Sequence, residues 1–343
     1  VTVQASVVVL GYGAEPELER CLDAVVAQLG PDREVILLDN GVDRLDDRRP
    51  GWSRAIRLVR SGENLGFAGG CNAAALEARG DRLVFLNSDA ILRPGALDRL
   101  LTALDDDRIG IACGCLRLAD APDLVNSVGN PLQFAGLTWA GECGAPAAEH
   151  SRPGRVAVAT GGFFALRREV WDRLGGFDAT YFAYHEDTDL SIRAWLAGLD
   201  VVVRPDAVAD HHYEFSRNPR KMFLLERNRL VTVLTDYPRG LLCRTLPAVL
   251  LLEPAFLVLA ALQGWPMEKL RSWWWLARHP RYLRRRRSTV QAAVTATRPS
   301  ALLARLMIAP IDPPNVTQPP GMSAINAMLH GYWWLATRGL DAD

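Results

Sequence analysis

The chain has 343 residues, balances 39 Lys+Arg against 39 Asp+Glu, and is 49% hydrophobic and 23% charged. That composition excludes a disordered chain, a collagen and a disulfide-stapled secreted scaffold. At ~150 residues per domain, the length fits two domains or one large α/β domain with an appendage.

The zero net charge hides an asymmetry. From Asp236 onward 13 Lys+Arg stand against 6 Asp+Glu, so the preceding residues carry the compensating negative charge; six of the ten tryptophans lie from Trp265 to Trp334. An acidic front with a basic, Trp-rich tail argues against a nucleic-acid binder and for a catalytic region joined to a segment that meets an anionic surface. The six cysteines show no C-x-x-C pairing, and Cys113 and Cys115 flank Gly114 in an apolar run that suits strand packing rather than zinc or a disulfide. No basic stretch leads into an apolar segment at the N-terminus, so a cytosolic chain is expected.

Residues 3–10 form a β-branched apolar run ending at Gly11-Tyr12-Gly13, which predicts a buried strand stopping at a loop. Leu18, Leu22, Val25, Val26 and Leu29 recur at helical spacing. Strands are expected at 34–38, ending in Asp39-Asn40-Gly41, and at 55–59. Glycine-rich 64–70 opens a helix through Ala78, and a strand at 82–86 runs into Asn87-Ser88-Asp89. This alternation predicts an α/β fold with a doubly wound, mostly parallel, Rossmann-like sheet, its functional loops at the carboxyl ends of the strands. Residues 109–159 are less regular. Gly161-Gly162-Phe163-Phe164 precedes a helix at 168–174, Gly175-Gly176-Phe177-Asp178 breaks it, and 185–197 suits a helix with an acidic entrance. A strand follows at 201–203, and 207–212 leads into another loop.

The character changes near 236, dividing the chain into a catalytic region, 1–235, and a mostly helical C-terminal region, 236–343. Residues 246–262 are nearly all apolar and approach the ~20 residues of a membrane span. They contain Pro247, Glu253 and Pro254, which favours an interfacial or buried helix over a span. Trp273-Trp274-Trp275 and the run 284–287 of four arginines suit lipid headgroups. The competing expectation is a helical subdomain packed on the catalytic region with a solvated basic face.

Four segments could carry chemistry. Gly11-x-Gly13 with Asp39 at the end of the second strand imitates a dinucleotide-binding fingerprint, but Pro16 stands where the third glycine belongs. Asp39 could accept hydrogen bonds from a ribose or base, or could simply close a turn. Asn87-Ser88-Asp89 could help hold Mg2+ or Mn2+ together with phosphate oxygens, or could be an Asx turn. In His185-Glu186-Asp187-Thr188-Asp189, three carboxylates in four residues repel one another unless a helix N-terminus, a cation or a proton shares the load. Helical spacing puts Glu186 and Asp189 on one face, lets Asp189 pair with Arg193, and leaves Asp187 as a general base. His211, or less favourably His212, could ligate a metal or be a hydrogen-bonded loop histidine.

In this order the pieces resemble the family 2 glycosyltransferases, inverting enzymes with a GT-A fold, and within them the rhamnosyltransferase-like bacterial branch of cell-wall and surface-polysaccharide enzymes. The matching stretches are residues 7–13, 35–41, 64–72, 85–90, 160–163, 175–178 and 186–190 with Arg193, followed by His211 with Ser216.

The resemblance implies a nucleotide-sugar donor, dTDP-rhamnose favoured over UDP-sugars, a glycan acceptor and a divalent cation. The apolar, Trp- and Arg-rich tail adds the expectation of a polyprenyl-linked acceptor and a cytoplasmic location at the cytosolic face of the plasma membrane. By the same resemblance Gly11, Tyr12 and Asp39 contact the nucleoside, and Asn64, Gly66, Phe67 and Asn72 line the nucleotide and diphosphate. Asn87 sits near the ribose or sugar, and Asp89 with His211 holds the metal. Gly161, Gly162 and Arg193 belong to the acceptor side, Asp187 is the base, and Glu186 positions acceptor hydroxyls. Two other functions compete: an NAD-dependent oxidoreductase or epimerase, and a transferase-like membrane scaffold without turnover.

Overall fold

In the computed structural model, residues 3–48, 52, 54–212, 220–314, 316, 318 and 320–340 are described. The strands are β1 (Ala5–Gly13), β2 (Arg33–Val42), β3 (Ile56–Arg60), β4 (Arg82–Asn87), β5 (Ala90–Leu92), β6 (Ile109–Leu118), β7 (Ala121–Ser127), β8 (Leu132–Gln133), β9 (Gly154–Arg155), β10 (Phe163–Arg167), β11 (Asp200–His211) and β12 (Met307–Ile308). The helices are α1 (Leu18–Val26), α2 (Leu45–Arg48), α3 (Gly66–Glu77), α4 (Ala96–Thr102), α5 (Arg168–Leu174), α6 (Glu186–Leu196), α7 (Lys221–Asp236), α8 (Arg239–Leu262), α9 (Pro266–Arg278), α10 (Pro280–Ala292), α11 (Pro299–Leu306) and α12 (Met322–Thr337).

The main sheet runs β3-β2-β1-β4-β10-β6-β11-β5. The first four strands are mutually parallel, β10 is antiparallel to both its neighbours, and β11 is parallel to β6. Period-two alternation divides the sheet between two apolar layers. Val8, Ile36, Leu38 and Phe85 face one side, where α3, α5 and α6 lie; Val7, Val9, Leu37 and Val84 face the other, against α1 and α4. The cysteines of β6 are buried and unbonded to one another, as the sequence suggests.

Three expectations change. The strand at 3–10 does not stop before the first glycines: β1 continues to Gly13, with Gly11 opposite Asp39 and Gly13 opposite Val42. The pieces at 201–203 and 207–212 are one strand, β11, with an irregularity between Arg204 and Val208. The segment before α5 is strand β10, whose two phenylalanines leave no polar–apolar alternation to signal it.

The C-terminal region packs on the rest of the chain. Helix α7 contacts α9 and α10, α11 contacts α6, and β12 pairs in parallel with β8. The arginine run is not simply a solvated or lipid-facing patch. Arg286 is buried in ion pairs with Asp178, Asp189 and Asp236, and Arg287 donates to the carbonyls of Leu234 and Tyr237 at 2.9 Å each. Two of the three clustered tryptophans also turn inward: Trp273 donates to Glu253, and the Trp275 ring lies 5.1 Å from the guanidinium carbon of buried Arg227.

Helix α8 begins with the exposed Arg239 and buries Leu241, Ala248, Val249 and Ala260 together with Thr245 and Glu253. Glu253 joins Arg229, Glu226 and the fully buried Lys269 in a closed ionic cluster. The exposed stripe of α8, Cys243, Pro247, Leu250, Leu251, Pro254, Ala255, Val258, Ala261 and Leu262, holds no charge. Breaking a buried ion pair leaves an uncompensated charge, so Lys269→Met should lower unfolding free energy by about 3–5 kcal/mol in urea titrations.

Candidate active site

The parallel register carries the ends of β1, β2 and β4 to one edge of the sheet: Gly11 lies opposite Asp39, and Leu10 opposite Asn87. Because β10 runs the other way, its entry, Gly161-Gly162, arrives at the same edge, beside Leu86 through Phe163. Strand β11 ends there too, with His211 opposite Ala90. Most of the predicted site residues are thus gathered by topology alone.

Two groups of side chains meet across this edge. In one, His211 Nδ1 lies 2.8 Å from Asn126 Oδ1, and His211 Nε2 lies 3.1 Å from Asp89 Oδ1. A carboxamide oxygen only accepts, so with this amide orientation Nδ1 carries the proton and Nε2 turns its other face to Asp89 and to Asn87 Nδ2, 3.5 Å away. A nitrogen lone pair and a carboxylate oxygen at that separation attract only with a cation between them, a proton or a metal ion. An imidazole oriented through its other nitrogen is also how metal-binding histidines are held. The pair is therefore open to either a shared proton or a divalent cation. Among the described residues no group of three or more His, Cys, Asp or Glu could hold one alone.

In the other group, Asp187 Oδ2 accepts from the Gly161 amide at 3.1 Å, and its Oδ1 accepts from the Thr188 amide at 2.7 Å. A Cβ on Gly161 would stand 3.1 Å from that Oδ2, which explains the glycine. Burial pushes the Asp187 carboxyl up, and burial with the adjacent Asp187 pushes Glu186 up further. The two groups are joined: Asn87 N donates to Gly162 O at 3.0 Å. An unbroken series of neighbours therefore runs from Asp187 through Gly161, Gly162 and Asn87 to His211 and Asp89.

The turn before α6 is forced. Phe182, Tyr184 and His185 all have positive φ, a region costly for side chains with a Cβ. Helix α7 holds it from behind: Asn228 Nδ2 lies 3.0, 2.9 and 2.7 Å from the carbonyls of Tyr181, Ala183 and Tyr184, and Arg227 donates to those of Thr180 and Tyr181. Gly66 fits against the same turn, since a Cβ there would meet Phe182 O at 2.3 Å.

Several expected contact residues serve the scaffold instead. Arg193 does not face the acceptor side. It is buried, pairs with Asp189 at 2.6 Å as helical spacing suggests, and donates to the carbonyls of Leu174 and Gly176. Asn72 is spent on both backbone polar groups of Phe177, at 2.8 and 3.0 Å. Phe67 packs toward Phe177. Asn64 caps α3 through the Gly66 amide at 2.9 Å and binds Asn40. Asp39 closes its own turn, accepting from Gly41 and Val42 with one oxygen, while the other lies 3.8 Å from Arg60. The Tyr12 ring lies against Gly41 and is 53% exposed. The His212 ring stands 3.7 Å from Glu17, while its backbone amide donates to the Asp89 carbonyl at 2.9 Å. Ser216 lies outside the described residues. Sequence reasoning missed Asn126, Arg227 and Asn228, which no local pattern distinguishes from surface residues.

Residues 6–175 match the family described as glycosyl transferase family 2. Polypeptide N-acetylgalactosaminyltransferase 11 of Xenopus tropicalis is 28% identical over 215 residues, 57% of this chain and 35% of that protein. A probable N-acetylgalactosaminyltransferase 9 of Caenorhabditis elegans is covered to 37%, so the chain spans about a third of these relatives' length. N-acetylglucosaminyl-diphospho-decaprenol L-rhamnosyltransferase of Mycobacterium tuberculosis is 28% identical over 262 residues, 68% of this chain and 85% of that protein. The crystal structure of GalNAc-T7 with UDP, GalNAc and Mn2+ superposes with TM-score 0.58 at 17% identity, over 69% of this chain and 48% of that one. Residues 1–349 of S. aureus TarS superpose with TM-score 0.54 at 14% identity, over 99% and 92%. The fold is GT-A, and the chain belongs to glycosyl transferase family 2.

Gly161→Ala should press on Asp187 and lower turnover while leaving nucleotide affinity unchanged, as measured by initial rates and by calorimetric titration of the nucleotide. His211→Ala should instead abolish any Mn2+ dependence of nucleotide binding in the same titration.

Proposed function

We propose that this family 2 glycosyltransferase moves a sugar from a nucleoside-diphosphate donor to an acceptor hydroxyl, with inversion, using Asp187 as the base. The observation that carries the reading is the continuous series linking Asp187 to the Asp89–His211 pair through Gly161, Gly162 and Asn87. It supports reading Asp187 as the proton acceptor and the Asp89–His211 pair as the diphosphate-side charge site on one edge of the sheet. The Asp187 carboxylate takes the acceptor proton as the hydroxyl oxygen bonds to the anomeric carbon. The bond from that carbon to the diphosphate oxygen breaks, and its electron pair leaves with the nucleoside diphosphate. Mg2+ or Mn2+ held by Asp89 and His211 would supply positive charge to the diphosphate. The exposed Tyr12 ring offers a surface for the base.

L-rhamnose from dTDP-rhamnose is the favoured donor. Support comes from the mycobacterial rhamnosyltransferase, 85% of which this chain covers, against the roughly one-third coverage of the animal N-acetylgalactosaminyltransferases. That protein's name also points to a polyprenyl-diphosphate-linked acceptor, and the uncharged outer stripe of α8 supports it. Leu250, Leu251, Val258 and Leu262 are 61–81% exposed, and apolar surface of this extent is more stable in lipid than in water. Exposed Trp274 and Trp334 each lie beneath an arginine, Arg278 and Arg338, a pairing suited to headgroup phosphates. The helix has the length and hydropathy of a span, but its inward Glu253 is locked in the ionic cluster, which favours lying flat on the cytosolic leaflet.

Thermal unfolding with dTDP, UDP, GDP and NAD, each with and without Mn2+, tests the donor class, since a ligand of the folded state raises the midpoint. A Mn2+-dependent rise with one diphosphate is expected; a rise with NAD alone would overturn the reading. Asp187→Asn should cut transfer by about 10^2–10^4-fold with nucleotide affinity intact. Since burial raises its pKa from 3.8, and only the deprotonated form accepts a proton, kcat should fall with decreasing pH through a limb above 3.8. Leu251→Glu with Val258→Glu should release the full chain from phosphatidylglycerol vesicles without slowing transfer to a water-soluble acceptor.

A further inference from the structure

Arg286 lies about a hundred residues beyond the acidic turn of α6, yet its guanidinium is the centre of that turn's surroundings. It pairs with Asp189, two residues past Asp187. It also reaches Asp178 Oδ2 at 2.9 Å, on the loop that leads into the strained turn, and Asp236 Oδ1 at 3.3 Å, at the end of α7. Tyr282, one turn earlier on α10, donates to the same Asp178 oxygen at 2.8 Å, and the Tyr181 ring lies 5.2 Å from the guanidinium carbon. Asp189 and Asp236 are fully buried, and the Arg286 side chain is 9% exposed. Burial and the neighbouring Asp189 push the Asp236 carboxyl up, while Arg193 and Arg286 outweigh burial and hold Asp189 down at about 2.

We infer that Arg286 is a positioning residue for the proposed base: it ties the loop before α6, the first turn of α6 and the end of α7 into one unit, and so fixes Asp187 against Gly161. The inference rests on the transferase reading for its kinetic consequence, but its structural consequence can be measured without turnover. Helix α10 therefore completes the site from outside the segment that carries every other site residue, and the 236–343 region is part of the catalytic unit as well as a surface for lipid.

The experiment compares the full chain with Arg286→Gln and Arg286→Lys, each first shown to be folded by circular dichroism. Hydrogen exchange reads the Gly161 and Thr188 amides, both of which donate to Asp187. Arg286→Gln should speed their exchange by at least tenfold relative to amides of β1 and β2, and Arg286→Lys should restore part of the protection. Unchanged protection at both amides would overturn the inference whatever the activity.

Turnover gives the second readout. Arg286→Gln should lower kcat with donor KM unchanged, and should move the acid limb of kcat to higher pH, because a loosened Asp187 loses the Gly161 and Thr188 amide hydrogen bonds that favour its ionised form. The other charged or titratable groups around the cluster, Glu186, Asp189, Arg193, Asp178, Asp236, Tyr181, Tyr282, Arg227 and Arg287, are the same in both proteins. A uniform fall in kcat with an unmoved limb would mark a merely structural role and overturn the inference. Should Arg286→Gln not fold, Asp178→Asn, which frees one anchor of the guanidinium while Asp189 keeps Arg193, is read by the same exchange and pH measurements. A wild-type protein without transfer activity would count against the proposed function, and the exchange result would still decide the role of Arg286.

Discussion

Burying several carboxylates at the start of one helix is the constraint around which this molecule is organised. Glu186, Asp187 and Asp189 occupy the first turn of α6 and are all drawn out of bulk water. A helix N-terminus offers them only a partial positive charge. Each carboxyl is therefore settled differently. Asp189 is paid in full by two guanidinium groups, Asp187 receives two backbone amides, and Glu186 is pushed toward its neutral form. Three environments on one turn make three chemically distinct groups from similar side chains, and only Asp187 combines a raised proton affinity with a place at the sheet edge.

The sheet supplies the rest by register. Its parallel half delivers strand ends to one edge, and the reversal of β10 brings a loop back to that edge rather than away from it. Gly161 and Gly162 can lie flat against Asp187 and Asn87 because neither has a side chain to hold them off. The Asp89–His211 pair depends on a residue from a different part of the chain, Asn126 on β7, which sets the orientation of His211.

Much of this was legible in the residues. The helix and strand periods of the first hundred residues, the acidic turn, the Asp189–Arg193 pair and the motif order all reported the fold and the neighbourhood of the site. Strand β10 escaped because Phe163-Phe164-Ala165-Leu166 is buried on both faces and shows no alternation. The roles of Asn64, Asn72 and Arg193 escaped for a different reason. A polar side chain near a ligand site and one that ties two loops together have the same local sequence, and only the three-dimensional partner separates them. The arginine run misled in the same way: its composition suits a lipid surface, whereas Arg286 and Arg287 point into the protein and leave Arg281, Arg284 and Arg285 on the outside. The tryptophans divide likewise, Trp273 and Trp275 inward and Trp274 outward.

The late position of Arg286 and of β12 has a consequence for how the chain is made. A ribosome delivers α6 roughly a hundred residues before α10, an interval of about 5–20 s at ordinary elongation rates. During that interval Asp178, Asp189 and Asp236 have no guanidinium from α10 to meet, and β8 has no β12 to pair with. The acidic turn must wait in water, unburied, until α10 has emerged. Nascent chains of this protein should consequently expose the layer beneath α6 to chaperones throughout that interval, and the arrival of α10 decides when this layer closes.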